Sequence, residues 1–552
     1  MESTIARSSS RPTAITHATA PRLIVAAASI VVAFMLWTRL GYVPIWDGYE
    51  YAAAIQRAAT APFDWSNLRL AGHASHAYAL IVVAAQTLAP GEYWPILATN
   101  AVLLVVAAVG FHRLAGIVFP APEHATERAL GTAAFVLQPP LLAAVVQPGL
   151  DLPLVPGFVW AAVFALERRW VAAAATGIAL AFTKETGVLL YAAIVASLIL
   201  HDPRVALGTP GRRVEAAKRL VILAVPGIVF AVYLAYRTYA ARGEPAVWNA
   251  GTAMIGQSLL RQLLVPRIDR HVASYVAIML VLNFAWVMTV VVAAGAVASV
   301  ARAKASGGFV RQVAGWLHSP PGFVAILAAL TAFTLTRFAT FANARYLLVF
   351  AGPLLLLFVA ALVALRFRPT ARRVILACLV VLIGVSVERT IDPVSRTLFG
   401  TFPFGRTEML RMTSISRECC GPGRDQLAYN LEFTTLAALS DDALAGMGAG
   451  DSTMVVVPDS TSWHTIPHLD PATGRRTAHV SGSIVPLVAE ADSAPLFAAE
   501  RRAAIYLALP NGPAARGLAE LASAFVVGPE RRLTRGPHAL SVYRLEPRTG
   551  TP

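Results

Sequence analysis

The sequence predicts an all-α polytopic membrane protein that carries a small α/β domain after about residue 390. Three observations lead there. Hydrophobic residues make up 56% of the 552 and charged residues only 14%; mean hydropathy is +0.60; and the apolar residues come in long runs rather than periodic stripes. A chain in lipid must satisfy its backbone polar groups within each segment, and this selects helices.

Taken in order, residues 1–21 form a polar tail with Arg7 and Arg11, expected in the cytoplasm. The run 22–43 has no charge between Arg22 and Arg39. It is too long for a signal-peptide core and lacks a cleavage site, so it is expected to stay as a first spanning helix. Further spans are expected at 94–117, 129–146, 152–166, 170–183, 186–200, 219–238, 272–300, 320–338, 346–366 and 373–389, about eleven in all. Some, such as 170–183, are shorter than the ~20 residues that a ~30 Å hydrocarbon core asks for. They fit a thinned bilayer or the inside of a bundle. Residues 74–90 are apolar enough to cross, yet a crossing there would throw every later basic loop to the other side. They are expected to lie as a juxtamembrane or re-entrant helix inside a long outer loop, 44–93. The transmembrane domain is thus 22–390.

The net charge of +15 invites a nucleic-acid reading, but its distribution argues against one. The cations sit in short loops between apolar runs: Arg168-Arg169, Arg212-Arg213 with Lys218-Arg219, Arg302 with Lys304 and Arg311, and Arg366 to Arg373. That is the positive-inside pattern of a multi-pass protein. With the N-terminus inside, eleven crossings put the C-terminus outside. Three cysteines make neither a disulfide framework nor a four-ligand metal site, and the adjacent Cys419-Cys420 is open to both the oxidised and the reduced reading.

Residues 391–552 are richer in Asp, Glu, Gly and Pro and hold no further membrane-length run. Met454–Pro458, Ala504–Ala508 and Ala539–Tyr543 are expected as short strands, with helices near 433–447 and 513–526 between them. This is the small extracytoplasmic α/β domain.

The topology gathers a set of polar residues on the outer face: Asp47, Glu50, Tyr51, Arg69, His73, His76, Gln147, Asp151, Lys184, Glu185, Arg337, Asn343 and Arg345. Ionisable groups at membrane depth are costly and mark function, although some simply end helices at the interface. Asp47 follows the first span within Trp46-Asp47-Gly48-Tyr49-Glu50-Tyr51, where an acid meets a lipid-borne substrate without entering hydrocarbon. Walker, Rossmann, His-Glu-x-x-His, nucleophile-elbow and Cys-pair metal patterns are absent from the sequence.

Four segments in this order resemble the polyprenyl-phosphate-sugar-dependent glycosyltransferases of GT-C fold, of the protein O-mannosyltransferase and aminoarabinose transferase type. The resemblance covers roughly residues 20–366. The family's first outer loop begins Asp-Glu with a Tyr following; here Asp47 and Tyr51 match, Gly48 replaces the second acid, and Glu50 stands nearby. Gln147-Pro148-Gly149-Leu150-Asp151 looks like the family's Pro-Asp, and Thr183-Lys184-Glu185-Thr186-Gly187 is similar to its Thr-Lys-Gly. Ala344-Arg345-Tyr346-Leu347-Leu348, with Pro353, looks like Arg-Tyr-Leu-Leu-Pro. The family's His-Pro-Pro is reduced to His73 and His76 without prolines.

The resemblance implies an enzyme that moves a sugar from a polyprenyl-phosphate donor to an acceptor hydroxyl on a glycan, lipid or protein at the outer face. Asp47 is the expected base. Lys184 and Arg345 are the expected clamp on the donor phosphate, a point charge beside a bidentate fork. Asp151, His73, Glu50, Tyr51, Arg337 and Tyr346 complete the candidate site, with Arg261 and Arg267 near Trp248 in reserve. Four of these residues also have a structural reading: Asp151 as a helix N-cap, Lys184 in a salt bridge to Glu185 or Asp151, Arg345 snorkelling to the interface, and Trp248 in an aromatic belt. No cofactor is required, and the alternative is a divalent ion bridging Asp47, Glu50 and Asp151. Heavy Ala and Arg usage suggests a bacterial plasma (inner) membrane with an undecaprenyl-type carrier. The rival readings are a transporter or lipid flippase, a polysaccharide polymerase of cell-envelope glycans, and a noncatalytic assembly protein. Transporters usually carry internal repeats and broken helices near mid-membrane, and neither is evident in the sequence.

Overall fold

The computed structural model describes residues 44, 47–62, 64–208, 213–240, 270–338, 344–387 and 392–404. It also describes residues 26, 27, 29, 30 and 33 and, beyond 406, residues 407–410, 427–445, 454–457, 468–469, 476–480, 483–485, 488–490, 504–508 and 514–548.

Segment 44–93 folds on itself. Helix α1 (Asp47–Thr60) and helix α2 (His76–Gln86) are joined by short 3-10 turns. They bury Tyr51, Ile55 and Ala58 of α1 against Leu68, Tyr78 and Val82, with Ile96 and Leu150 closing the cluster. At 11 residues, α2 rises about 16 Å, roughly half the hydrocarbon thickness.

The bundle begins with α3 (Trp94–Val118), α4 (Ala125–Val136) and α5 (Pro139–Val146). Next come α6 (Asp151–Leu166), α7 (Trp170–Ala181), α8 (Thr186–His201), α9 (Arg213–Ala240) and α10 (Arg270–Val281). It ends with α11 (Ala285–Ala305), the amphipathic α12 (Phe309–Leu317), α13 (Pro320–Phe338), α14 (Leu348–Ala364) and α15 (Pro369–Ser386). Small residues set its close contacts. A Cβ on Gly295 of α11 would stand 2.7 Å from that of Ala361 on α14. Phe111 of α3 stacks on Phe135 of α4 at 4.5 Å.

Among the described residues, six segments are long and apolar enough to cross a membrane, seven if the bent α4–α5 pair counts as one. The multi-pass helical class expected from the sequence is therefore observed, while the figure of eleven is not established. It needs α6, α7 and α8, of 16, 12 and 16 residues, to count as crossings. It also needs 22–43, which lies almost wholly outside the described residues.

Two expected spans are interrupted. The run 129–146 is α4 and α5, bent by 49°. The break falls at Gln138-Pro139-Pro140, because proline lacks an N–H and disfavours helix in the residue before it. The run 272–300 is split between α10 and α11, where Asn283 and Phe284 take left-handed φ of 53° and 63°. Asp392 holds this break. Its carboxylate accepts the Phe284 N–H at 3.3 Å and Trp286 Nε1 at 2.9 Å. It also caps α16 (Pro393–Phe399) by accepting from Val394 and Ser395.

Beyond α16, strands β1 (Thr401–Phe404) and β2 (Thr407–Leu410) form a hairpin, followed by α17 (Leu427–Ala445). The main sheet contains β3 (Met454–Val457), β7 (Val488–Glu490), β8 (Ala504–Ala508), β9 (Phe525–Val527), β10 (Arg531–Arg535) and β11 (His538–Pro547). Its order is β10-β11-β8-β3-β7 with β9 also on β11; β3 runs parallel to both β7 and β8. Strands β4 (His468–Leu469), β5 (Arg476–Val480) and β6 (Ser483–Val485) form a separate small sheet, and α18 (Ala514–Ala524) packs on β9. The three expected strands and both helices are present. Helix α17 packs against α5 on one side and β10 and β11 on the other, and Leu427 joins the core of the bundle.

The end of the bundle away from segment 44–93 is tied by ion pairs. Glu127 of α4 is fully buried, 3.2 Å from Arg372 Nη2 and 3.6 Å from Arg373 Nε. Removing one partner leaves a buried charge uncompensated, so Glu127→Leu is expected to cost about 3 kcal/mol. Thermal unfolding of the detergent-solubilised variant beside wild type measures it.

Candidate active site

A tight hairpin presents Lys184. Helix α7 ends at Ala181, and α8 begins at Thr186 almost against it. Gly187 makes this turn feasible, since a Cβ there would stand 2.0 Å from the Leu180 carbonyl oxygen. The Gly187 N–H donates to the Lys184 carbonyl at 2.8 Å, and the Thr183 hydroxyl donates to the Ala179 carbonyl at 2.7 Å. Lys184 is thereby held at the mouth of the turn, facing the start of α6.

Asp151, the first residue of α6, receives it. Lys184 Nζ lies 2.5 Å from Asp151 Oδ1, and Arg345 Nε lies 3.4 Å from Asp151 Oδ2. The three side chains are only 10–15% exposed. Tyr346 floors the group: Lys184 Nζ is 4.3 Å and the Arg345 guanidinium 5.3 Å from its ring centre. Two cations thus share one carboxylate and one aromatic ring. Burial opposes the charge on Lys184, but the adjacent Asp151 carboxylate more than offsets it and holds Lys184 above the usual lysine range.

This geometry resolves the alternatives that the sequence leaves open. Asp151 does not cap its helix: Leu150 occupies the N-cap and no side chain bonds there. Lys184 pairs with Asp151 rather than Glu185. Arg345 turns inward to the carboxylate instead of reaching out to the interface.

Glu185 has other partners. Its Oε2 lies 2.9 Å from His73 Nδ1, and its Oε1 accepts the Ala74 N–H at 2.8 Å. Burial raises its carboxyl, yet the bonds from His73 and Ala74 outweigh burial and hold it below the usual carboxylate value. His73 in turn stacks on Tyr51 at 6.2 Å. His76 is different: burial first, then the Arg69 guanidinium, lower its ring to about 4. The neutral ring meets Phe182 and Tyr233 edge-on.

The first turn of α1 enters from the other side. Asp47 is its first residue, and what is described of Asp47 is that backbone position. A Cβ on Gly48 would stand 2.0 Å from Gln147 Nε2 and 3.1 Å from the Pro148 carbonyl. The α5–α6 connection therefore occupies the space that a second acid would need, which accounts for glycine at that position. Four residues after Gln147 comes Asp151, so α1 and the Lys184–Arg345 pair flank one short connection.

Of the sequence-predicted residues, Asp151, Lys184, Arg345 and Tyr346 are brought together, and Tyr51 and His73 form an adjoining pair. Glu50 is exposed. Arg337 stacks over Phe333 of its own helix at 5.8 Å and makes no ion pair among the described residues. Trp248, Arg261, Arg267, Asn343, Cys419 and Cys420 lie outside the described residues. Among the described residues, no three His, Cys, Asp or Glu side chains are grouped to hold a metal ion. Sequence reasoning missed the pairing of Glu185 with His73. Its one signal was a glutamate where the resemblance expects glycine.

The fold has solved counterparts. The crystal structure of ArnT from Cupriavidus metallidurans bound to undecaprenyl phosphate is 15% identical with a TM-score of 0.54, covering 94% of this chain and 97% of that one. The apo structure of the same protein gives 15% and 0.53, covering 95% and 98%. No protein-family model and no curated protein sequence matches the chain. The likeness is one of fold along nearly the whole length of both chains.

Asp151 is the keystone of the buried group. Asp151→Asn leaves two buried cations without their anion and is expected to lower stability by about 3 kcal/mol. Adding Lys184→Met is expected to recover part of that loss, because it removes one stranded charge. Thermal melts of the single and double variants in the same detergent test the coupling.

Proposed function

We propose that this chain is an integral-membrane glycosyltransferase of the plasma (inner) membrane. It moves a sugar from a polyprenyl-phosphate donor to an acceptor hydroxyl at the extracytoplasmic face, where the domain after residue 390 also lies. The observation that carries the reading is the pair Lys184 and Arg345, converging on one carboxylate at the end of the bundle beside α1. Support also comes from the fold it shares with ArnT, solved with undecaprenyl phosphate. The positive-inside distribution of the basic loops supports the sidedness.

The transfer follows from the residues. Asp47 takes the proton of the acceptor hydroxyl as its oxygen attacks the anomeric carbon. The bond from that carbon to the phosphate oxygen breaks, and the polyprenyl phosphate leaves with the electron pair. Phosphate departs without a general acid, so one carboxylate suffices, in contrast to the two used by glycosidases. Lys184 and Arg345 stabilise the negative charge that develops on the phosphate, in a site with little water to screen it. In this reading the cations do the work that a divalent ion would otherwise do.

The test uses purified protein and labelled undecaprenyl-phosphate hexoses or pentoses, with bacterial membrane extract as the acceptor source. Asp47→Asn is expected to reduce turnover by about 10²-fold or more while donor binding survives. Lys184→Gln and Arg345→Gln are each expected to weaken donor binding and slow transfer by about tenfold or more. Turnover unaffected by Asp47→Asn would remove Asp47 as base. No turnover by wild type would turn the reading towards transport or polymerisation of envelope glycans.

A further inference from the structure

Three hydrogen-bonding contacts join the outer segment to the Lys184 turn, beside the edge-on contact of His76 with Phe182. The Ala74 N–H donates to Glu185 Oε1 at 2.8 Å, His73 Nδ1 lies 2.9 Å from Glu185 Oε2, and the Ala77 N–H donates to the Phe182 carbonyl at 2.8 Å. Two of the three are made by one side chain, Glu185, which is 16% exposed. The residue it holds, His73, is 11% exposed at its side chain and stacks on Tyr51 with the rings 29° apart. Tyr51 lies one helical turn after Asp47 on α1, and Glu185 directly follows Lys184.

Glu185 is not used elsewhere. Lys184 already has Asp151, so Glu185 is not needed to neutralise its neighbour. A carboxylate buried to this degree without a purpose would be costly, and each of its oxygens is committed to the 73–74 corner. The small core of segment 44–93 is closed by Ile96 of α3 and by Leu150, and Tyr78 Oη donates to Asn100 Oδ1 at 2.9 Å, so the segment is tied to α3 and the start of α6. Glu185 supplies its tie to the α7–α8 turn.

We propose that Glu185 is a positioning residue that fastens the segment carrying Asp47 to the turn carrying Lys184, so that the two halves of the site move as one body. The path runs from Lys184 through the backbone to Glu185, across to His73, by ring stacking to Tyr51, and back one turn of α1 to Asp47. It rests on the transferase reading for its consequence in catalysis, though not for its geometry. Glu185 touches neither donor nor acceptor. It sets where the base stands relative to the phosphate cations, and a misplacement of about 1 Å is enough to slow a reaction 10²-fold.

Hydrogen–deuterium exchange on the full chain in detergent, combined with donor kinetics, tests this. In Glu185→Ala, exchange over residues 73–86 is expected to rise about tenfold or more, as the loss of two buried bonds requires. Exchange over α3 should stay unchanged, reporting an intact bundle. In the same variant kcat is expected to fall about tenfold or more with the donor KM little altered, since orientation rather than binding is lost. Glu185→Gln keeps an acceptor for the Ala74 N–H and is expected to restore much of the protection. Unchanged exchange over 73–86 in Glu185→Ala would overturn the proposal whatever the activity. Raised exchange in a chain whose wild type transfers no sugar would leave the tether standing and refute the transferase reading instead.

Discussion

A charge buried at the end of a helical bundle must find its counter-charge there, and the Asp151–Lys184–Arg345 group is where this chain meets that demand. The three residues come from three separate connections: the start of α6, the α7–α8 hairpin and the 3-10 turn before α14. Bringing them together fixes how those helices end relative to one another. The close approach of Gln147 and Pro148 to Gly48 then sets α1 beside the same group. Much of the architecture at this end follows from satisfying one carboxylate and two cations.

The bundle makes this feasible by giving up ideal helices. Helices α6, α7 and α8 are short for a full crossing, α4 and α5 bend at a proline pair, and α10 breaks before α11 at two left-handed residues. Irregular backbone at membrane depth is tolerated where protein rather than lipid surrounds it. Asp392 serves the second break by accepting from the Phe284 N–H there, and the same carboxylate caps α16. The short helices α6, α7 and α8 each place one end at the buried group, with Asp151 beginning α6 and Lys184 lying between α7 and α8. Longer, straighter helices would carry Asp151 and Lys184 past one another.

What was legible in the sequence, and what was not, divides along physical lines. Spans with uniform apolar runs, such as 94–117 and 373–389, were readable because burial in lipid leaves no other option for the backbone. The strands near 454, 504 and 539 were readable from β-branched residues between turn signals. Three of the short motifs pointed to Asp151, Lys184, Arg345 and Tyr346, which the fold brings together, since charged and aromatic residues between apolar runs stand out. Pairing was not readable. Whether Lys184 meets Glu185 or Asp151 depends on the direction in which the hairpin turns, and that direction is set by Gly187 against Leu180. The break at Asn283–Phe284 was hidden for the same reason: its stabiliser, Asp392, lies more than a hundred residues further on. Glycine at position 48 reads in the sequence as a lost acid, whereas in the fold Gln147 fills the space beside it.

The balance of charge in the buried group bears on how a donor phosphate would be handled. Lys184 and Arg345 against Asp151 leave the group with one net positive charge. A sugar joined to polyprenyl phosphate is a phosphodiester with one negative charge, so the bound donor would bring the group to neutrality. When the bond to the anomeric carbon breaks, the phosphate gains a second negative charge, and the two cations are then needed more than before. Interactions that strengthen as the reaction proceeds accelerate it, whereas those already complete in the ground state only tighten binding. In the proposed reaction Asp151 would contribute to that difference by holding part of the cations' attraction before transfer. Lys184 sits close to it, at 2.5 Å, and Arg345 farther, at 3.4 Å. In the proposed reaction, Arg345 is therefore the cation with less to give up when it turns to the departing phosphate.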